Sequence, residues 1–174
     1  MARPLDLSAG YGAAPADQPA SDAVRAFLGG AGRVAVLDRY APLAARVLVS
    51  QIFLISGVMK LIDPAGTQQQ MAEKGMFWVP LFFVGAVVFE LAGGLSLLLG
   101  YKTRLGALAL ILFLIPVTLV FHSWWTYPDP KEQQVNMFMF LHNLTLMGGL
   151  LLFLTLGPGP LSLDRRTEPR GEVP

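Results

Sequence analysis

Four apolar stretches of about twenty residues each decide most of what this chain can fold into. They cover roughly residues 42–62, 79–99, 104–121 and 135–156. A helix rises about 1.5 Å per residue, so about 20 residues cross the hydrocarbon core of a bilayer. Soluble folds rarely bury four such segments in a row, and lipid accepts only helices or closed barrels as spanning backbone. The expected fold class is therefore all-α, a polytopic four-transmembrane-helix bundle. The link between the second and third segments is only Gly100-Tyr101-Lys102-Thr103, which makes them an antiparallel hairpin. Pro42 suits the first turn of the first helix, Pro116 is expected to kink the third, and Gly157-Pro158-Gly159-Pro160 stops the fourth.

Composition agrees with lipid as the solvent. Of the 174 residues 53% are hydrophobic and 14% charged, against about 25% charged in soluble domains. A net charge of +1, with no Lys/Arg cluster, leaves no field for nucleic acid. The absence of cysteine excludes disulfides, thiolate zinc sites, cysteine-ligated iron–sulfur clusters, c-type haem and thiol redox chemistry within this chain.

Three regions follow. Residues 1–40 form a low-complexity arm whose first twenty positions are rich in Ala, Gly, Pro and Asp. Ser21 is placed to cap a short interfacial helix carrying Val24, Phe27 and Leu28. No apolar run follows the start, so a cleaved signal peptide is not expected. Residues 41–157 are the transmembrane domain, and 158–174 a polar tail. Arg3, Arg25, Arg33, Arg39, Arg46, Lys102, Arg104, Arg165, Arg166 and Arg170 fall on one side of the spans, and only Lys60, Lys74 and Lys131 on the other. That asymmetry predicts both termini in the cytoplasm. Phe77, Trp78, Trp124, Trp125 and Tyr127 outside, with Tyr40 and Tyr101 inside, suit interfacial belts. The loop over 63–76 reads as a short outer helix starting near Pro64 and ended by Gly75, with no chemistry assigned.

Ionisable groups within the spans carry the most information, because lipid penalises them. Arg46, Ser50, Gly57 and Lys60 fall within an arc of about 80° on one face of the first helix, which should point inward. Glu90 lies midway along the second helix beside Ala86, Gly93 and Gly94, small residues that admit a close neighbour. A buried carboxylate needs a cation or a proton. Arg46 is the expected partner, in a structural pair that fixes helix register; the alternative is a proton or quinone role for Glu90. Lys60 is expected to snorkel outward or to pair with Asp63.

His122 ends the third helix and His142 lies about two turns inside the fourth. Their depths differ by roughly 7 Å, which disfavours a bis-histidine haem, and no third ligand suggests a metal. A polar outer pocket is the better expectation, with His142 hydrogen-bonded to Asn143 or Thr118. Its candidate lining is Gln51, Glu90, Thr118, His122, His142 and Asn143, and such a pocket suits a quinone headgroup. Met137, Met139 and Met147 read as filler, and Gly148-Gly149 as a close-packing site. No nucleophile elbow, phosphate loop or carboxylate pair is present, so no catalytic residue is assigned.

The strings ARVLVSQIFLISGVMKLIDPAGT, FELAGGLSLLLGYKTRLGALAL, FHSWW and LHNLTLMGGLLLF, with Lys74-Gly75 between the first two, occur in order. Together with the closing GPGPLSLD the set resembles the DoxX family of small four-helix membrane proteins, over about residues 46–164. The resemblance implies a bacterial cytoplasmic membrane and association with redox complexes: related DoxD-type chains are membrane subunits of thiosulfate:quinone oxidoreductase. Thiol-handling relatives use cysteine pairs, which this chain lacks. The resulting expectation is an accessory or anchor subunit of a larger redox or bioenergetic complex, without chemistry of its own, docked to partner subunits through its N-terminal arm. The alternative is a quinone-reactive oxidoreductase subunit. A small-solute transporter comes third, since no discontinuous helix or inverted repeat is visible.

Overall fold

A computed structural model describes residues 30–167, with side chains from 35 to 165. The arm ahead of residue 30, with its expected interfacial helix, and the tail after residue 167 lie outside the described residues. The chain divides between Leu37 and Asp38, and the bundle considered below belongs to the second unit.

All regular structure among the described residues is helical. In order these are α1 (Gly30–Ile62), α2 (Pro64–Glu73), α3 (Val79–Leu99), α4 (Thr103–Phe121), a 3-10 turn (Trp124–Thr126), α5 (Pro130–Leu156) and α6 (Asp164–Thr167). Four segments are long and apolar enough to cross a membrane: Ala35–Ile62, Val79–Leu99, Thr103–Thr126 and Pro130–Leu156. The expected four-span, all-α class holds. Their outer faces carry large apolar side chains such as Leu48, Ile55, Val88, Leu112 and Leu152, each at least half exposed. Lipid is the solvent that such a surface requires.

Local chemistry explains most helix ends. Asp63 caps α2 by accepting the Gly66 N–H at 2.9 Å, Pro64 occupies its first turn, and Gly75 follows at φ +73°. The short helix between the first two spans is thus present where expected. Asp129 caps α5 by accepting the Lys131 N–H at 3.1 Å, and Pro130 and Glu132 sit in the first turn. These polar residues extend α5 five residues ahead of its apolar stretch.

One proline stands elsewhere than expected. Pro42 lies inside α1 rather than in its first turn, because the helix begins at Gly30. Pro116 lies inside α4, whose helix continues through it. Proline removes one backbone donor and crowds the carbonyl four residues back, which a helix held on its flanks by neighbours tolerates.

Glycines set the distances between helices. A Cβ on Gly57 would lie 2.7 Å from Leu91 of α3, and one on Gly94 would lie 2.9 Å from Leu54 of α1. On the α3–α4 side, a Cβ on Gly93 would come within 2.6 Å of Leu110. Lipid tails are as apolar as leucine, so spanning helices associate through such close packing rather than through water exclusion. Phe53, Leu97, Ala107, Leu110, Leu114, Leu150 and Phe153 fill the core between α1, α3, α4 and α5.

Candidate functional site

The inward face expected for α1 is the buried one: Arg46 and Ser50 are 1% and 0% exposed, with Phe53 and Gly57 on the same side. Its two cations serve different ends of the bundle. The facing pairs Gly57–Leu91 and Gly94–Leu54 place the α1 position level with Glu90 near Val58. Arg46 is twelve residues away along the helix, about 18 Å at 1.5 Å per residue, which no guanidinium spans. The expected Arg46–Glu90 pair is therefore not formed.

Arg46 instead holds the segment that follows α5. Its guanidinium donates to the Leu161 carbonyl through Nη2 and to the Leu98 carbonyl through Nη1 at 3.4 Å. Asp164 approaches the same level from the segment's end. Its carboxylate accepts the Lys102 N–H at 2.6 Å and the Thr103 N–H at 3.0 Å, capping α4 from a distant part of the chain. The segment's backbone adds Asp164 N–H to Gly100 O at 2.8 Å and Leu163 N–H to Leu99 O at 3.3 Å. Burial alone would raise the Asp164 carboxyl. The Thr103 and Lys102 donors, with the Arg46 charge, outweigh it and hold the group below its ordinary value. Close approach is again made by glycine. Gly100 sits at φ +65° where a Cβ would strike the Arg46 guanidinium, and a Cβ on Gly159 would meet the Pro42 ring. The first part of the polar tail, through Asp164, is thus docked on the bundle.

Glu90, 5% exposed, takes Lys60 as its cation. Lys60 Nζ donates to Glu90 Oε1 at 2.9 Å and to Ser56 Oγ at 2.7 Å, and Ser56 donates to the same Glu90 oxygen at 3.0 Å. Lys60 therefore neither snorkels away from the bundle nor pairs with Asp63: two residues beyond Val58, its flexible stem reaches back to the Glu90 level. Both donors converge on Oε1. Glu90 Oε2 is buried and has no hydrogen-bond partner.

This triad borders a cavity of about 340 Å³. Its lining is partly polar, with Ser56, Lys60, Glu90, His122, His142 and Asn143 and with Thr67 and Gln70 of α2. It is partly apolar, with Phe53, Phe113, Leu114, Val117 and Leu146. Gln70, Met139 and His142 on its rim are exposed, so the cavity reaches the bundle surface between α1, α2 and α5. Lys74 bonds to the Tyr127 hydroxyl and lies 4.7 Å from that ring's centre, tying the two loops at this end together.

The candidate residues fall out as follows. Glu90, His122, His142 and Asn143 share the cavity wall. Thr118 stands behind it, accepting from Asn143 Nδ2 at 3.0 Å and donating to Leu114 O at 2.6 Å. Asn143, not His142, is thus the residue that bonds Thr118, because His142 points to the exposed rim one position earlier on the helix. His122 Nδ1 lies 3.3 Å from Asn136 Oδ1. Gln51 is exposed and does not line the cavity: it stands a helical step away from the Ser50–Phe53 face. Sequence reasoning missed Ser56 and Lys60 as site members. The signal was available in the i, i+4 spacing of Ser56 and Lys60 on the face that also carries Gly57. Among the described residues no group of three or more His, Asp or Glu side chains is placed to hold a metal ion.

Comparison with known proteins matches the DoxX family profile to residues 41–123. The inner membrane protein YqjF of Escherichia coli (strain K12) is 37% identical over 131 residues, 74% of this chain and 93% of that protein. The inner membrane protein YphA of the same organism is 34% identical over 143 residues, 82% of this chain and 98% of that protein. A Surfeit locus protein 4 homolog of Drosophila melanogaster is 36% identical over 85 residues, 47% of this chain but 32% of that protein. No solved structure matches.

Proposed function

The chain belongs to the DoxX family, and on that premise we propose that this multi-pass membrane protein is the quinone-binding subunit of a larger redox assembly. The observation that carries the reading is the mixed-polarity cavity around Glu90, closed by apolar walls and reaching the lipid-facing surface. Its 340 Å³ falls at the small end of ligand cavities, about 300–1,000 Å³. A one-ring head fits that space, and an isoprenoid tail would leave past Met139 into lipid. Lys60 and His142 offer donors to ring oxygens, and Asn143 is held in place by Thr118. Glu90 supplies an acceptor that the fold leaves without a partner. A bound quinone takes up two electrons and two protons on reduction to the quinol and gives them back on oxidation; the electrons must pass to or from a partner subunit. Both termini are assigned to the cytoplasm from the ten basic residues on their side of the spans, which puts the cavity end outside in a bacterial inner membrane.

Bracing of partners without chemistry has one observation of its own. A groove of about 320 Å³ between α3 and α4 has small residues, Ala92, Gly93, Ser96, Gly106 and Ala109, among larger ones such as Phe89, Tyr101 and Leu105, and small residues suit the approach of a further helix. Purification in mild detergent, followed by extraction of bound quinone and identification of co-purifying chains, tests both. Loss of quinone in Lys60→Met with partners retained supports the cavity reading. Partners with no quinone in either protein leave the bracing role alone.

A further inference from the structure

We infer that the cavity selects the reduced, hydroxyl-bearing form of its ligand, a quinol, over the oxidised form. The inference rests on the quinone-site reading and goes further, by assigning the redox form that the site recognises and the residue that decides it.

The argument starts from the hydrogen-bond inventory of Glu90. An ionised carboxylate only accepts, and it has about four acceptor positions. Lys60 and Ser56 both donate to Oε1, the Lys60 ammonium as the carboxylate's ion-pair partner. Oε2 is buried with no partner. A buried acceptor without a donor is costly, and a charged one more so. The terminal torsion of a glutamate is soft, so a small rotation turns Oε2 toward the cavity that Glu90 already lines. What that oxygen lacks is a donor.

The two redox forms differ in this property. A quinone carries two carbonyl oxygens, which accept only. A quinol carries two hydroxyls, which donate as well as accept. Lys60 gives two of its three N–H donors to Glu90 and Ser56, and the third serves an oxygen of either form, so the carbonyl-only form still leaves Oε2 without a donor. The quinol meets the same wall with a matching O–H. A hydrogen bond to a charged group contributes enough to separate the two forms by about tenfold or more. His122 and His142 serve either form, since a neutral imidazole offers one donor and one acceptor, and they do not cancel the preference.

The test uses the full chain in lipid nanodiscs under anaerobic conditions. Binding of duroquinol, duroquinone and the dimethyl ether of duroquinol is measured by calorimetry, with empty nanodiscs as the partition control. Duroquinol is expected to bind at least about tenfold more tightly than duroquinone. The ether keeps the ring and loses the donors, so it should bind no better than the quinone. In Glu90→Gln the amide places a donor where Oε2 stood, which a hydroxyl or a carbonyl oxygen can accept, and the preference for duroquinol should disappear. Equal affinities, a tighter quinone, an ether as tight as the quinol, or a preference undiminished in Glu90→Gln each overturn the inference while leaving a quinone site in place. Binding of none of the three overturns the site itself. Should Glu90→Gln not fold, the three-ligand comparison on the unaltered protein decides alone.

Discussion

The two ends of the bundle use buried polar groups in opposite ways. At the end that carries residues 158–165, Arg46 and Asp164 bind backbone groups of chain segments far away in sequence, and glycines bring those segments into contact. At the other end, Lys60, Ser56 and Glu90 bind one another, leaving a carboxylate oxygen unpartnered beside a cavity. Arg46 Nε is also unpartnered, but Arg46 is not among the residues lining that cavity. The first arrangement closes the fold: its partners are carbonyls and amides that exist whatever ligand is present. The second is self-contained, so the fold could do without it. The difference separates polar groups that tie distant segments of the fold together from polar groups that bind one another beside a cavity.

Removing Arg46 should break the first end, with the largest effect. Arg46→Gln strips the Leu161 and Leu98 carbonyls of their donor and leaves Asp164 without its nearby cation. A loss of about 3–5 kcal/mol is expected, the range for breaking one side of a buried charged contact. Thermal unfolding in detergent measures it, and a drop no larger than that of Gln51→Ala would show that the segment is not held there. Gly100→Ala should follow at about 2–3 kcal/mol. Its left-handed backbone disfavours a Cβ by roughly 1–2 kcal/mol, and the added methyl also displaces the Arg46 guanidinium.

Much of this was legible in the sequence, for reasons that particular residues make clear. Spans are readable because lipid permits so few alternatives, and α2 because Asp63-Pro64 and Gly75 are local signals. Burial of Arg46 and Glu90 followed from helical periodicity and the cost of charge in lipid. Their partners did not, since pairing depends on register between helices, and register is set by Gly57 meeting Leu91. Apolar segments alone do not encode that offset. The docking of Asp164 under α4 was hidden for a similar reason: a lone acid in a polar tail carries no local mark of the helix terminus that it caps. Even so, four crossings return the chain to the side of the spans nearer Arg46, and that parity was readable. The cavity residues Glu90, His122, His142 and Asn143 were found because each is polar at membrane depth; Lys60 was placed at the lipid boundary because its stem can point either way.

The pH dependence of stability sharpens the comparison at a smaller scale. Asp164 has its pKa lowered from an ordinary 3.8 by the amides of Thr103 and Lys102 and by Arg46, against the opposing effect of burial. A depressed carboxyl stabilises the fold above its unfolded pKa, and that contribution is lost as pH falls through the folded value. Stability of the unaltered protein should include this contribution in full from about pH 5 upward and lose it below about pH 4. Asp164→Asn should cost about 1 kcal/mol at pH 7, as the loss of a good helix cap does, and should flatten the acid limb. An acid limb unchanged in Asp164→Asn would assign it to other carboxylates.

The smallest stability effect should come from the most drastic change at the cavity end. Lys60→Met alone leaves the Glu90 carboxylate buried without its cation, and Glu90→Leu alone does the same to Lys60, so each single variant should destabilise. The double variant Lys60→Met/Glu90→Leu removes both charges and keeps their volume. Replacing a buried ion pair by apolar groups is often neutral or stabilising, and within this bundle the pair bonds only to itself and to Ser56. Unfolding of the double variant should therefore fall within about 1 kcal/mol of the unaltered protein, while binding of duroquinol is lost. That outcome would mark the pair as retained for the ligand. A double variant as unstable as Arg46→Gln would instead make Lys60–Glu90 a structural contact like the one at the opposite end, and the distinction between the two ends would dissolve.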